Sequence, residues 1–104
     1  MELGITTTPT PERYLVSVAG EVDISNVGAL RDHIDLALEQ PTAKLTLDFA
    51  NVSYIDSTGI GVLVGAAHRA AEKNVRFEVA NPQRNVERVL GLLGVSADLN
   101  VREA

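Results

Sequence analysis

Two hydrophobic periodicities alternate along the chain, and their order constrains the fold more than any other feature. Apolar residues recur at every second position over residues 44–49 and at every third or fourth position over residues 27–38. A period of two is typical of a half-buried strand, and a period near 3.6 of an amphipathic helix. Along the whole chain, these patterns predict strands at residues 3–7, 14–19, 44–49, 75–79 and 98–102, and helices at residues 27–38, 57–73 and 86–94.

The predicted order is β-β-α-β-α-β-α-β, which indicates an α/β fold. Strands that alternate with helices form mostly parallel sheets joined by right-handed crossovers. Because 104 residues are near the commonest domain size, we expect one domain over residues 1–104.

Each predicted helix carries an apolar stripe that should face the core. Ser25 or Asn26 is the expected N-cap of the first helix, and Pro41 enforces its end. The expected stripes are Val27, Leu30, Ile34 and Leu38 in the first helix, Ile60, Leu63, Val64, Ala67 and Ala71 in the second, and Val86, Val89, Leu90 and Leu93 in the third.

Charge and composition exclude several classes of function. Nine Lys and Arg residues against 14 Asp and Glu residues give a net charge of −5, which repels phosphate backbones, so no nucleic-acid partner is expected. The absence of Cys excludes disulfides, zinc–thiolate sites and cysteine nucleophiles. The N-terminus lacks a basic start followed by an apolar run, and the longest uncharged stretch, residues 57–68, is shorter than the roughly 20 residues that span a bilayer. We therefore expect a cytoplasmic protein with no membrane partner.

The segment Asp56-Ser57-Thr58-Gly59 lies where the third strand passes into the second helix. The carboxyl end of a strand in an open α/β sheet is a preferred place for a functional site. The first turn of a helix exposes unpaired N–H groups and the positive end of the dipole, so it tolerates an added phosphate. Ser57 can thus accept a phosphoryl group without loss of the fold. The alternative is that Asp56, Ser57 or Thr58 only caps the helix.

Three further interpretations of this segment match its spacing only in part. Gly59, Gly61 and Gly65, with Glu78 as the ribose-binding acid, resemble a dinucleotide loop, but the third glycine comes one residue late. Ile55-x-Ser57-x-Gly59 is half of a nucleophile elbow, and the two histidines, His33 and His68, stand on helices among ordinary charges. Asp56-Ser57-Thr58-Gly59 has one residue too many for the Asp-Ser/Thr-Gly of small aspartic proteases, which are also all-β.

Three segments spread over nearly the whole chain share their pattern with one known family. They are Gly20-Glu21-Val22-Asp23, Asp56-Ser57-Thr58-Gly59-Ile60-Gly61-Val62-Leu63, and Asn81-Pro82 followed by Val89-Leu90-Gly91-Leu92-Leu93-Gly94. In this order the chain resembles the STAS family, and within it the single-domain anti-sigma-factor antagonists. The resemblance implies a mostly parallel sheet with helices packed mainly on one face.

The resemblance also implies a partner-switching cycle in which the chain itself is not an enzyme and holds no cofactor or metal. In that cycle the unphosphorylated antagonist binds an anti-sigma factor that is also a serine kinase, and so frees the sigma factor. The kinase phosphorylates the serine after the motif's Asp, here Ser57, with Thr58 as the alternative acceptor. A PP2C-type phosphatase reverses the modification. Asp23 matches the family's acidic residue before the first helix, and Asp56 the first position of the motif.

The second helix is apolar almost all round, which suggests a surface for the partner beside Ser57. The expected partner-binding residues are Asp23, Asp56, Ser57, Thr58, Gly59, Gly61 and Val62. One hypothesis is that part of this apolar surface, including Val62, is exposed beside Ser57. The alternative is that the glycines allow close packing against the third helix or the sheet. Two other functions remain open, namely a non-switching STAS subunit of a signalling or lipid-transport complex and a small nucleotide-binding protein.

Overall fold

The computed structural model describes residues 2–103, which form five strands and three helices in the predicted order. The α/β class and the β-β-α-β-α-β-α-β order are confirmed. The elements are β1 (Gly4–Pro9), β2 (Tyr14–Val22), α1 (Val27–Leu38), β3 (Lys44–Ile55), α2 (Ser57–Glu72), β4 (Arg76–Ala80), α3 (Arg84–Leu92) and β5 (Val101–Arg102).

The five strands form one sheet in the order β1-β2-β3-β4-β5. The first pair is an antiparallel hairpin, and each of the other three pairs is parallel. Because a parallel pair needs a crossover, α1, α2 and the α3 segment each connect neighbouring strands. The sheet is mostly parallel and its helices pack mainly on one face, as predicted.

Side chains of β3 alternate between the two faces of the sheet. Leu45, Leu47 and Phe49 are fully buried in the core cluster that the helices cover. Lys44 and Thr46 point to the opposite face. The same alternation places Phe77 and Val79 of β4 in the core, so the helix-covered face is continuous across the parallel strands.

Strand β3 continues to Ile55, well beyond the predicted end at residue 49. Two register shifts against β2, after Ser17 and after Gly20, explain the difference. An extra residue in a ladder breaks the two-residue alternation, and Gly20 has a positive φ of 117° that suits such an irregularity. Val52 and Ile55 are buried with two exposed residues between them, so the period of two is not visible in the sequence.

The buried face of α2 differs from the predicted stripe. Ile60, Leu63 and Ala67 are buried as predicted, but Ala71 is exposed and Val64 is only partly buried. The buried face instead includes Val62, Ala66 and Ala70. The reason is that α2 packs against α1 as well as against the sheet, so its apolar face is wider than a stripe aimed at the sheet alone.

The predictions for the helix ends were partly right. Helix α1 begins after Asn26 and ends at Leu38, ahead of Pro41, as expected. Helix α3 ends at Leu92, and Gly94 follows in the left-handed region with φ of 71°. Val86 and Leu90 are buried, but the expected core residues Val89 and Leu93 are exposed, because α3 is short and only two of its positions reach the core.

None of the helices within residues 2–103 combines the length and the apolarity that crossing a bilayer requires.

Candidate functional site

Asp56 is the N-cap of α2 and joins two segments of the chain. Its carboxylate accepts hydrogen bonds from the backbone N–H of Gly59 at 3.1 Å and from the Thr58 hydroxyl at 2.5 Å. The second carboxylate oxygen accepts from the backbone N–H of Ile24 at 3.2 Å. Asp56 therefore satisfies orphan donors at the start of α2 and also holds the β2–α1 loop against that start.

The hydrogen bonds to Asp56 favour its charged form. The Thr58 hydroxyl, followed by the backbone N–H of Gly59, holds the pKa of Asp56 below its usual 3.8, although partial desolvation opposes this effect. The N–H groups of Ile24 and Thr58 add smaller contributions in the same direction. A fixed negative charge therefore stands next to Ser57 at neutral pH.

Ser57 is the first residue of α2, and its side chain is exposed. Its hydroxyl makes no hydrogen bond with any group in residues 2–103. The hydroxyl of the next residue, Thr58, is bonded to Asp56. The capping function is thus carried out by Asp56, and the Ser57 hydroxyl takes no part in it.

Asp23 organises the β2–α1 loop that faces the start of α2. Its carboxylate accepts hydrogen bonds from the backbone N–H of Ser25 at 2.9 Å and from the Ser25 hydroxyl. Asn26 accepts from the backbone N–H of Asp23 at 2.9 Å and donates to the carbonyl of Glu21 at 2.8 Å. Asp23 is adjacent to Ile24, whose N–H bonds Asp56, so the structure brings the two predicted acidic segments together.

Gly59 is required by close packing. A Cβ atom at this position would lie 2.7 Å from Cγ1 of Ile55 and 2.9 Å from Cγ1 of Val22. Both neighbours are buried at the carboxyl ends of β3 and β2. The alternative that glycines permit close packing on the sheet therefore holds for Gly59.

Gly61 and Gly65 have a different environment. A Cβ atom at either position would meet nothing within 4 Å, and both residues are exposed. They border an open groove of about 590 Å³ between the two helices, which we call the α1–α2 groove. It is lined by Ile24, Val27, Arg31, Asp35, Thr58, Gly61, Val62, Gly65 and Arg69.

The expectation that Val62 is freely exposed was wrong, because only 8% of its surface is accessible. Val62 forms part of the groove floor and belongs to the core cluster. The exposed apolar group beside the site is instead Ile24, which is 76% accessible. An Arg69–Asp35 ion pair links α2 to α1 across the groove.

The competing interpretations of the sequence do not match this geometry. Gly59, Gly61 and Gly65 all lie inside α2, so they form no phosphate-binding loop. Glu78 lies in the middle of β4, where it contacts Thr46 and Lys44 and not the start of α2. His33 lies beside the carbonyl of Ala29 one turn earlier in its own helix, with 2.8 Å between Nδ1 and the oxygen.

Comparison with known proteins gives a consistent assignment. The STAS domain family model matches residues 5–104. An anti-sigma-B factor antagonist of Staphylococcus epidermidis is 28% identical over 103 residues, which cover 99% of this chain and 95% of that protein. The anti-sigma factor antagonist SpoIIAA in its unphosphorylated form superposes with a TM-score of 0.83 at 23% identity, over 97% of this chain and 88% of that one. SpoIIAA of Bacillus in its phosphorylated form superposes with a TM-score of 0.76 at 22% identity, over 97% of this chain and 91% of that one.

The chain belongs to the STAS domain family.

Ile24 and the groove residues Arg31, Asp35 and Arg69 were not predicted as site residues from the sequence. Ile24 was missed because it acts through its backbone N–H, which carries no residue-type signal. Arg31 and Asp35 lie outside the predicted apolar stripe of α1, and only the packing of α2 against α1 brings Arg69 to Asp35. The one indication of Ile24 in the sequence is that it is an apolar residue directly after Asp23, in a polar loop.

Proposed function

We propose that this chain is an anti-sigma-factor antagonist whose unphosphorylated form binds an anti-sigma serine kinase, and that phosphorylation of Ser57 ends this binding. The observation that carries the proposal is the state of the Ser57 hydroxyl, which is exposed and unbonded within residues 2–103 while both of its neighbours are engaged. The name of the staphylococcal relative and the two forms of SpoIIAA support it.

The position of Ser57 explains how one modification can weaken binding of the partner without destabilising the fold. A phosphate adds about −1.5 to −2 charges at neutral pH. At the first residue of α2 it meets the positive end of the helix dipole, so the helix tolerates it. At the centre of a protein contact, next to the Asp56 carboxylate, the same charge must be desolvated beside a like charge. Phosphorylation therefore destabilises the complex with the partner and not the folded chain.

The partner surface in this proposal comprises the exposed start of α2 and the α1–α2 groove. Asp23, Asp56, Ser57 and Thr58 form its polar end. Gly61, together with Gly65, leaves the groove open, and each glycine in a helix interior costs roughly 1 kcal/mol relative to Ala. No contact inside the chain compensates for this loss of helix stability, because open space surrounds both glycines. A side chain of the kinase that enters the groove would explain why glycine is present there.

The cycle requires a kinase and a phosphatase in the same compartment, which we propose to be the cytoplasm. The anti-sigma kinase transfers the γ-phosphoryl group of ATP to the Ser57 oxygen, with loss of the hydroxyl proton and release of ADP. A PP2C-type phosphatase hydrolyses the ester and restores the hydroxyl. The chain contributes the acceptor and the contact surface and performs no catalysis itself.

The test combines modification with binding. The protein is incubated with its anti-sigma kinase and ATP, and intact-mass analysis followed by peptide mapping should place one phosphate on Ser57. Ser57→Ala should bind the kinase and remain unmodified, whereas Ser57→Asp should bind weakly. A phosphate found on Thr58 would move the acceptor by one residue and contradict the assignment. Equal binding by both variants would favour a non-switching STAS subunit.

A further inference from the structure

A row of cations crosses the sheet at the end opposite Ser57. Lys44 of β3 pairs directly with Arg76 of β4. Arg13 precedes Tyr14, which pairs with Leu45, so Arg13 stands level with Lys44 on the next strand. Three positive charges therefore stand side by side at or directly before the first residues of three adjacent parallel strands. Like charges directly opposite each other on neighbouring strands are unfavourable.

These cations line a depression of about 300 Å³ together with Arg102 of β5. Four of the nine basic residues of a chain with a net charge of −5 thus meet at one place. The acidic residues of the lining are Glu78 and Glu103. The depression carries four positive and two negative charges, so its net formal charge is opposite in sign to that of the whole chain.

Glu78 is almost buried, and both of its carboxylate oxygens are used. One accepts a hydrogen bond from the Thr46 hydroxyl at 3.0 Å. The other lies 3.3 Å from Nζ of Lys44 and 3.7 Å from Nε of Arg102. Glu78 therefore fixes two of the cations in place. The side chains of Arg13 and Arg76 form no ion pair within residues 2–103.

We propose that this depression binds a small ligand that carries a diphosphate group. Its volume is at the lower end of small-molecule sites, which fits a compact ligand and not a protein segment. Neighbouring strands are about 4.8 Å apart, so the row presents charges over about 10 Å. A diphosphate spreads its charge over two tetrahedral groups and can contact adjacent cations of the row at once. Arginine forks match phosphate oxygens in geometry as well as in charge.

The test is a titration of the intact protein with inorganic diphosphate, monitored by backbone amide shifts and by calorimetry at low and at physiological ionic strength. Wild type should bind, more weakly at the higher salt, with the largest shifts at residues 13, 44 and 76. Arg13→Gln with Arg76→Gln should weaken binding by about tenfold or more. Arg88→Gln removes an exposed charge on α3 and should leave the affinity unchanged.

The double variant should unfold at the same or a higher temperature than wild type, because it relieves the like-charge row. A parallel titration with a nucleoside diphosphate separates the sources of the ligand. Equal affinity means that the diphosphate alone is recognised, and tighter binding means that the organic part adds contacts; both support the site. No binding of diphosphate by wild type, equal weakening by Arg88→Gln, or shifts confined to residues 57–65 would overturn the proposal.

Discussion

The carboxylate of Asp56 accepts a hydrogen bond from the backbone N–H of Ile24 at 3.2 Å, although the two residues are 32 positions apart. The same carboxylate caps α2 through Gly59. The loop that carries Asp23 and the helix that begins with Ser57 are therefore held by one charged group. The geometry around the proposed phosphorylation site depends on that group.

Replacement of Asp56 should separate its capping role from its charge. Asp56→Ala removes every hydrogen bond that the carboxylate accepts, so the midpoint of thermal unfolding should fall. Asp56→Asn keeps an oxygen that can cap the helix, so its unfolding midpoint should fall less. Asp32→Ala, an exposed change on α1, is the control and should stay near wild type. Equal losses for Asp56→Ala and Asp32→Ala would contradict the capping role.

The lowered pKa of Asp56 predicts a component of acid lability. Because the pKa is lower in the folded than in the unfolded chain, the charged carboxylate stabilises the fold above its unfolded value near 3.8. This contribution is lost as the pH falls through the lower, folded value. Urea unfolding at a series of pH values below 5 should therefore show a shallower loss of stability in Asp56→Asn than in wild type. Parallel curves for the two proteins would show that Asp56 contributes nothing to the acid sensitivity.

The glycines of α2 should respond to alanine in opposite directions. Gly59→Ala places a Cβ against Ile55 and Val22, and overpacking of this kind typically costs about 1–3 kcal/mol. Gly61→Ala and Gly65→Ala meet open space and should stabilise the protein by about 0.4–1 kcal/mol each. Urea unfolding of the three variants measures these changes. A destabilised Gly61→Ala would mean that the groove beside it is not open.

Filling the α1–α2 groove should abolish kinase binding without loss of the fold. Gly61→Leu projects a side chain into the groove, where a contact with the kinase is proposed. Gly28→Leu is the matched control, because Gly28 is also a helical glycine with open space around it but does not line the groove. Calorimetric titration with the kinase should detect binding only for Gly28→Leu and wild type. Binding by Gly61→Leu at wild-type affinity would place the contact elsewhere.

Hydrophobic periodicity predicted the elements of the fold because it reflects which side of each helix or strand is buried. The stripe of α1, from Val27 to Leu38, is buried as predicted. The patterns failed where a second element intervenes. Val62 is buried because α1 covers that side of α2, and the end of β3 was missed because a register shift against β2 hides the alternation.

The site was predictable in its residue types but not in its connections. The Asp56-Ser57-Thr58-Gly59 segment gave the start of α2 correctly, and Asp56 was one of three candidate caps. No pattern distinguishes which of Ser57 and Thr58 bonds Asp56, because this choice depends on the rotamers at the first turn. The bond between Ile24 and Asp56 is set by the tertiary fold and has no counterpart in local sequence.

The most direct measurement is the affinity of the anti-sigma kinase for this protein in two forms, unmodified and phosphorylated on Ser57, with both forms shown to be folded by their thermal transitions. The phosphorylated form should bind at least about a hundredfold more weakly, which corresponds to about 2.8 kcal/mol. Equal affinities for two well-folded forms would contradict the proposal that Ser57 is the switch.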